Sequence, residues 1–164
     1  MQKIVPNLWF DSEAEAAANF YVEVFNGNPA KDTTSKIGKV ARYTTETPSN
    51  KPKGSVLTVG FELAGQEFLG LNGGSFFKPN EAVSFIINCE SQAEVDYFWE
   101  KLSAVAESEQ CGWLKDKFGV SWQVVPTRLN ELLEDSEKSA RVMETLLKMK
   151  KLDIAELEKA AEGE

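Results

Sequence analysis

The sequence predicts an α+β fold: paired βαβββ modules followed by a C-terminal helical extension. Three observations predict it. A short apolar run leading into an amphipathic segment occurs twice, at 7–25 ("NLWFDSEAEAAANFYVEVF") and at 85–102 ("FIINCESQAEVDYFWEKL"), with Ser12, Ala14 and Glu15 matching Ser91, Ala93 and Glu94 at one constant offset. After each copy the apolar pattern changes from a helical period to the alternation of strands. Beyond residue 127 the helical period returns and runs to the end of the chain.

In both copies the S-x-A-E string has the spacing of a capping box, in which the Ser oxygen takes an orphan N–H of the first turn and the Glu reaches back to the cap. The first helix is predicted over about 13–25, with Ala17, Phe20, Tyr21, Val24 and Phe25 on its apolar face and Gly27 and Pro29 stopping it. The second is predicted over about 92–105, with Val95, Phe98, Trp99, Leu102 and Val105 on one face. Between them, "KVARYTTE" (39–46) alternates and "TETPSNKPKG" (45–54) is a polar loop. "SVLTVGFEL" (55–63) and "QEFLGLN" (66–72) form a hairpin about Ala64–Gly65. A loop, "GGSFFKPNE" (73–81), joins the copies. In the second copy "CGWLKD" and "VSWQVVP" flank a turn at Lys117–Gly119, where Asp116 and Lys117 are expected to make the turn and face water. In the tail, Val142, Leu146 and Met149 share a face, and Asp153 with Glu156 caps a last helix through about Ala161. The expected organisation is one domain over 1–164: module one about 1–78, module two about 79–127, helices about 128–164.

Composition excludes several function classes. A net charge of −8 argues against nucleic acid, whose phosphates demand a basic patch. No run of about 18 apolar residues exists to span a membrane, and "MQKIVPNLWF" lacks the features of a signal peptide, so a cytoplasmic protein is expected. The chain has no histidine, which removes Ser/His and Cys/His dyads and the commonest zinc and iron ligand. Cys89 and Cys111 have no C-x-x-C partner and read as small apolar residues rather than reactive thiols.

The strings "NLWFDSEAEAAANFY", "SFIINCESQAEVDYFWEKL", "CGWLKDKFGVSWQVVP" and "METLLKMKKLDIAELEKA" resemble the PhnB-like proteins, also called 3-demethylubiquinone-9 3-methyltransferase-like. These are a branch of the glyoxalase/bleomycin resistance/extradiol dioxygenase (vicinal oxygen chelate) superfamily. The resemblance implies a cupped mixed sheet with a site inside the cup. In metal-binding members the first and last strands of each module supply inward ligands. Those positions match Pro6, Leu69, Ser84 and Gln123, to within about one residue. None is a carboxylate or an imidazole, and Asn7, beside Pro6, is a neutral donor. Neutral amides and hydroxyls hold hard cations poorly. The expectation is therefore no metal and no cofactor, with Gln123 standing where a metal-binding Glu would be. A second reading of Gln123 stands beside it: a buried Gln bonded to backbone across the sheet.

Strand alternation puts Glu67 on the face of Leu69, with access to the cup, although a solvated carboxylate is the commoner outcome. Trp113 suits an apolar or aromatic ligand, as do Trp9, Phe76 and Phe77. The substrate-binding set expected is Glu67, Leu69, Ser84, Trp113 and Gln123. The favoured function is metal-free binding of a small apolar or aromatic molecule by a homodimer. The alternatives are a metal-dependent enzyme of glyoxalase or dioxygenase type and a metal-independent lyase or isomerase using Glu67 as base. A methyltransferase is disfavoured, because neither a glycine-rich turn for S-adenosylmethionine nor a doubly wound sheet is legible.

Overall fold

Each repeat folds as a sheet with one helix laid across it, and the two repeats belong to separate compact units, residues 1–80 and 81–164. The structure, a computed structural model, describes residues 2–31, 34–48 and 50–163. Ser49, in the polar loop 45–54, lies outside them, as does Met1 at the start of the N-terminal string.

The first unit runs β1 (Asn7–Phe10), α1 (Ala14–Asn26), β2 (Lys36–Arg42), β3 (Val56–Leu63) and β4 (Gln66–Asn72). The sheet order is β1-β4-β3-β2, with β1 parallel to β4 and the other pairs antiparallel. Period-two alternation decides which side chains are covered. Val59, Phe61 and Leu63 of β3, with Phe68 of β4, are buried against Ala14, Ala17, Ala18, Tyr21 and Val24 of α1. Phe61 stacks on Phe68, with ring centroids 5.4 Å apart. The β3–β4 hairpin turns at Ala64 (φ 49°) and Gly65 (φ 85°), the paired positive φ that a tight two-residue hairpin needs.

The second unit runs β5 (Ser84–Cys89), α2 (Gln92–Leu102), β6 (Trp113–Lys115), β7 (Ser121–Pro126), then α3 (Arg128–Glu134), α4 (Ser139–Leu146) and α5 (Ile154–Glu162). Its sheet order is β5-β7-β6, with β5 parallel to β7. Among the described residues this sheet has three strands, against four in the first. The stretch corresponding to β2 is a 3₁₀ turn at Ala106–Ser108 and an isolated bridge between Gln110 and Trp113. α2 ends at Leu102 rather than Val105, because Ser103 is already extended.

The two predicted capping boxes part company. Ser91 caps α2, its side chain accepting from Glu94 N at 3.3 Å, while Glu94 Oε2 reaches back to Glu90 N at 2.7 Å. Ser12 does not cap α1: the N-cap is Glu13, and the first-turn N–H of Ala14 goes to Asn72 Oδ1 at 2.9 Å. Asn72 is buried on the neighbouring strand and also donates to Val56 O at 3.1 Å. A side chain distant in sequence has taken the local cap's place.

The helical extension has its own core of Leu129, Leu132, Val142, Leu152, Leu157 and Ala161, with Leu146 and Met149 packed against it. Asp153 caps α5 as predicted, accepting from Glu156 N at 3.0 Å. The extension is tied to the second sheet by backbone. Cys111 N donates to Met149 O and Gly112 N to Lys150 O, each at 2.8 Å. Gln92 adds a side-chain clamp, donating to Leu152 O and accepting from Ile154 N.

Candidate functional site

In each unit the expected site residues lie on the sheet face turned away from the helix. On the first sheet that parity selects Glu67, Leu69 and Leu71 of β4, Thr58, Gly60 and Glu62 of β3, and Asn7 and Trp9 of β1. Glu67 and Leu69 therefore share a face, as alternation predicts, and both are half-buried. Glu67 is not simply solvated: its Oε2 accepts from Gln2 N at 2.9 Å. The N-terminal segment runs along β4, and Leu69 N donates to Pro6 O at 2.9 Å.

Glu67 and Leu69 line a groove of about 550 Å³. Val5 and Leu69 supply apolar wall, and Lys36, Lys39 and Glu62 charge its margin. Its floor is open because Gly38 and Gly60 face each other where a β-bulge interrupts the β2–β3 register between Ile37 and Val40.

On the second sheet, Trp122 is 2% exposed and Val124 fully buried, while Gln123 between them points to the other face and is half-buried. The register puts Trp113 opposite Gln123 on one side and Ile86 on the other, with Ser84 opposite Ser121. Gln123 Nε2 donates to Ser84 Oγ at 2.9 Å. The partner of Gln123 is thus a side chain, not the backbone group of the second reading. Ser84, Trp113 and Gln123 form one patch, to which the structure adds Ser121. Its Oγ is the buried side-chain oxygen left without a hydrogen bond among the described residues. A serine at the same strand parity as Gln123 was the available sequence signal.

The other residues singled out in the sequence lie as follows. Phe76 and Phe77 are 76% and 65% exposed on the connecting loop. Trp9 donates from Nε1 to Gly74 O at 2.8 Å, lies against Gly73 where a Cβ would meet the indole at 2.2 Å, and receives Phe77 edge-on at 5.0 Å. Asp116, expected to face water, is 1% exposed. It does make the turn, Oδ1 accepting from Phe118 N and Val120 N, but Oδ2 accepts from Trp122 Nε1 at 2.8 Å, which draws the carboxylate under the hairpin. Lys117 is exposed as expected. Cys89 is fully buried, and desolvation, with the nearby Glu94 charge second, pushes its thiol up to about 12.

The residues at the four superfamily metal positions do not fit a divalent ion. Leu69 has no donor atom, Pro6 offers only a carbonyl already taken by Leu69 N, and Gln123 turns its N–H₂ toward Ser84. Among the described residues no group of three or more Cys, Asp or Glu side chains is placed to hold a metal.

Comparison with known proteins agrees with the architecture. The family model for 3-demethylubiquinone-9 3-methyltransferase matches residues 2–125, leaving α3–α5 outside the match. A solved structure from Bacillus cereus, described as a putative 3-demethylubiquinone-9 3-methyltransferase, PhnB protein, is 33% identical. It covers 77% of this chain and 100% of its own, with a TM-score of 0.62. Protein PA1353 from Pseudomonas aeruginosa shares the fold at 18% identity, covering 77% of this chain and 98% of its own, with a TM-score of 0.54. Among curated proteins none matches. With its repeated strand–helix units, its D-K-F-G hairpin and a match over most of its length, the chain belongs to the 3-demethylubiquinone-9 3-methyltransferase family, the PhnB-like branch.

Proposed function

We propose that this protein binds a small apolar or aromatic molecule without a metal, on the sheet faces turned away from the helices. The observation that carries the reading is the groove of about 550 Å³ in which Leu69, an apolar side chain, stands at a position where metal-binding relatives carry a ligand. A mostly apolar concavity with a few polar groups is the usual form of a small-molecule site. Ser84, Gln123 and Trp113 supply a second, uncharged polar and aromatic surface.

The family's methyltransferase description finds no support in the local chemistry. S-adenosylmethionine in a doubly wound fold needs a glycine-rich turn after the first strand for close backbone approach. Here β1 and α1 are joined by Asp11, Ser12 and Glu13. A lyase or isomerase using Glu67 as base has no specific observation in its favour, since the Glu67 carboxylate accepts from a backbone N–H.

The test is elemental analysis of protein grown in metal-supplemented medium, with thermal-shift screening of aromatic compounds in chelator. Well under one equivalent of Zn, Ni, Mn or Fe per chain, with stabilisation by aromatic compounds, supports the reading. A full equivalent of metal released only by strong chelation, or binding that requires metal, overturns it.

A further inference from the structure

We propose that the open face of the second sheet takes a small carboxylate, an apolar or aromatic molecule that ends in a carboxylic acid, and that Glu81 competes with it for Lys115. This rests on the binding reading above and names the group its ligand carries.

The register lays two rows of side chains across β5, β7 and β6 on that face. One row is Ser84, Ser121 and Lys115; the next is Ile86, Gln123 and Trp113. The first row is polar, and Lys115 is the charged residue of the two rows. The second sets Trp113 on one side of Gln123 and Ile86, 57% exposed, on the other. A head group on the first row and an apolar body on the second would each meet matching chemistry.

The face has more donors than acceptors. Gln123 Nε2 donates to Ser84 Oγ at 2.9 Å, so the Ser84 hydroxyl is left to donate, and it finds no acceptor among the described residues. Ser121 is 2% exposed and its Oγ has no partner among them. A buried hydroxyl without a partner is costly to keep. Against these donors and the Lys115 ammonium, Gln123 Oε1 is the one carbonyl oxygen that the side chains of the two rows supply.

The ammonium of Lys115 pairs with Glu81, a loop residue ahead of β5 with 57% of its side chain exposed. Such a partner is held weakly enough to be exchanged. Lys115 spends its carbonyl on Ala104, and Trp113 its N–H and C=O on Gln110, all on the outer side of β6. Lys115–Ser121 and Trp113–Gln123 are therefore the non-hydrogen-bonded pairs, in which side chains stand closest. The Lys115 side chain thus stands beside the buried hydroxyl. A carboxylate that takes the ammonium from Glu81 has a second oxygen for the Ser121 or Ser84 hydroxyl, and charge-assisted bonds of both kinds are the strong ones. The chain's net charge of −8 acts against an anion at long range, but salt screens it beyond about 8 Å at physiological strength, whereas the contact with Lys115 is direct.

The test is calorimetric titration of the full chain with phenylpropionate, phenylpropanol and phenylpropylamine, which share a body and differ in charge. Phenylpropionate is expected to bind about tenfold or more tighter than the alcohol, with the amine weakest. Glu81→Gln removes the competing charge and should tighten the acid several-fold while leaving the alcohol unchanged. Lys115→Gln should bring the acid down to the affinity of the alcohol, with circular dichroism unchanged; if that variant does not fold, the gain in Glu81→Gln decides. Ser121→Ala should weaken the acid several-fold without lowering the urea midpoint, since its hydroxyl has no partner to lose. Alcohol or amine equal to the acid in the native chain overturns the carboxylate proposal and leaves the binding reading standing. So does a preference for the acid that survives Lys115→Gln, or a Glu81→Gln variant that binds the acid no tighter. No binding of any of the three, by the native chain or by Glu81→Gln, overturns the binding reading of this face and the carboxylate proposal with it.

Discussion

Asp116, Gln123 and Cys89 show how differently single side chains are held. Asp116 is buried, and its carboxylate gathers two turn amides and the indole of Trp122. Asp116→Ala strands those donors at about 1–3 kcal/mol for each that stays dry, and urea denaturation with Trp fluorescence should show a large loss of stability. Gln123 is the opposite case. Its partner, Ser84, is a half-buried hydroxyl, so Gln123→Leu should cost under about 1 kcal/mol, whereas Trp122→Ala should cost about 3–5 kcal/mol by leaving a core cavity. A loss above about 2 kcal/mol for the Leu variant would mean that Gln123 has a structural role. Cys89, with its thiol pushed up to about 12, has almost no thiolate at neutral pH. In native protein Ellman's reagent should therefore titrate Cys111 at most, and both thiols only in urea. Because the folded thiol holds its proton more tightly than an unperturbed thiol, near 9.0, its contribution to stability is full below about 9 and lost as pH rises toward about 12. The orientation of Gln123 was legible from strand parity, since Trp122 and Val124 demand the covered face. The burial of Asp116 was not, because D-K-F-G describes a turn equally well whether or not an indole reaches back to it.

At the scale of elements, the two S-x-A-E strings look equivalent in sequence and behave differently in the fold. Ser91→Ala should cost about 1 kcal/mol, the usual worth of an N-cap, and Ser12→Ala close to nothing. Asn72→Ala should exceed both, because it strands Ala14 N and Val56 O together in a buried place. Chemical denaturation of the three variants checks the order, and Ser12→Ala as costly as Ser91→Ala would restore the local box. α1, α2, α5 and the β3–β4 hairpin were readable from period and turn chemistry alone. The three-stranded second sheet was not. A missing strand leaves no mark in the strands that remain, and 104–110 carries neither alternation nor a helical period strong enough to decide.

At the scale of the whole molecule, the tail contains what the repeats lack. Val142, Leu146 and Met149, which share a face in the sequence, serve the chain's own helical core. Met143 and Leu147, a turn apart on the same side of the α4 end, remain 40% and 57% exposed. The homodimer expected from the superfamily plan is tested by light scattering, which should return about twice the mass of the 18.2 kDa chain; a monomer at high concentration would leave those side chains solvated. The candidate site was legible only in part. The positions of Leu69, Ser84 and Gln123 followed from motif matching and strand parity. The groove depends on a bulge and two facing glycines on strands β2 and β3, and nothing in either strand alone announces the other.

The attachment of the tail has a consequence for how this protein meets copies of itself. β6 lies at the margin of its sheet, and such a margin ordinarily offers a row of unspent amides and carbonyls to any passing strand. Here Ala104 N is bonded to Lys115 O, Gln110 exchanges bonds with Trp113, and Met149 and Lys150 take the amides of Cys111 and Gly112. Gly112 (φ 85°) lies so close to Val124 O of β7 that a Cβ would sit 2.9 Å from it, and 3.2 Å from the Leu152 side chain of the extension, so no side chain fits at this position. Residues 104–110 cover β6 itself and the helical extension covers the two residues before it, so together they work as a selvedge, finishing the fabric on the side where fibrils and swapped strands would otherwise begin.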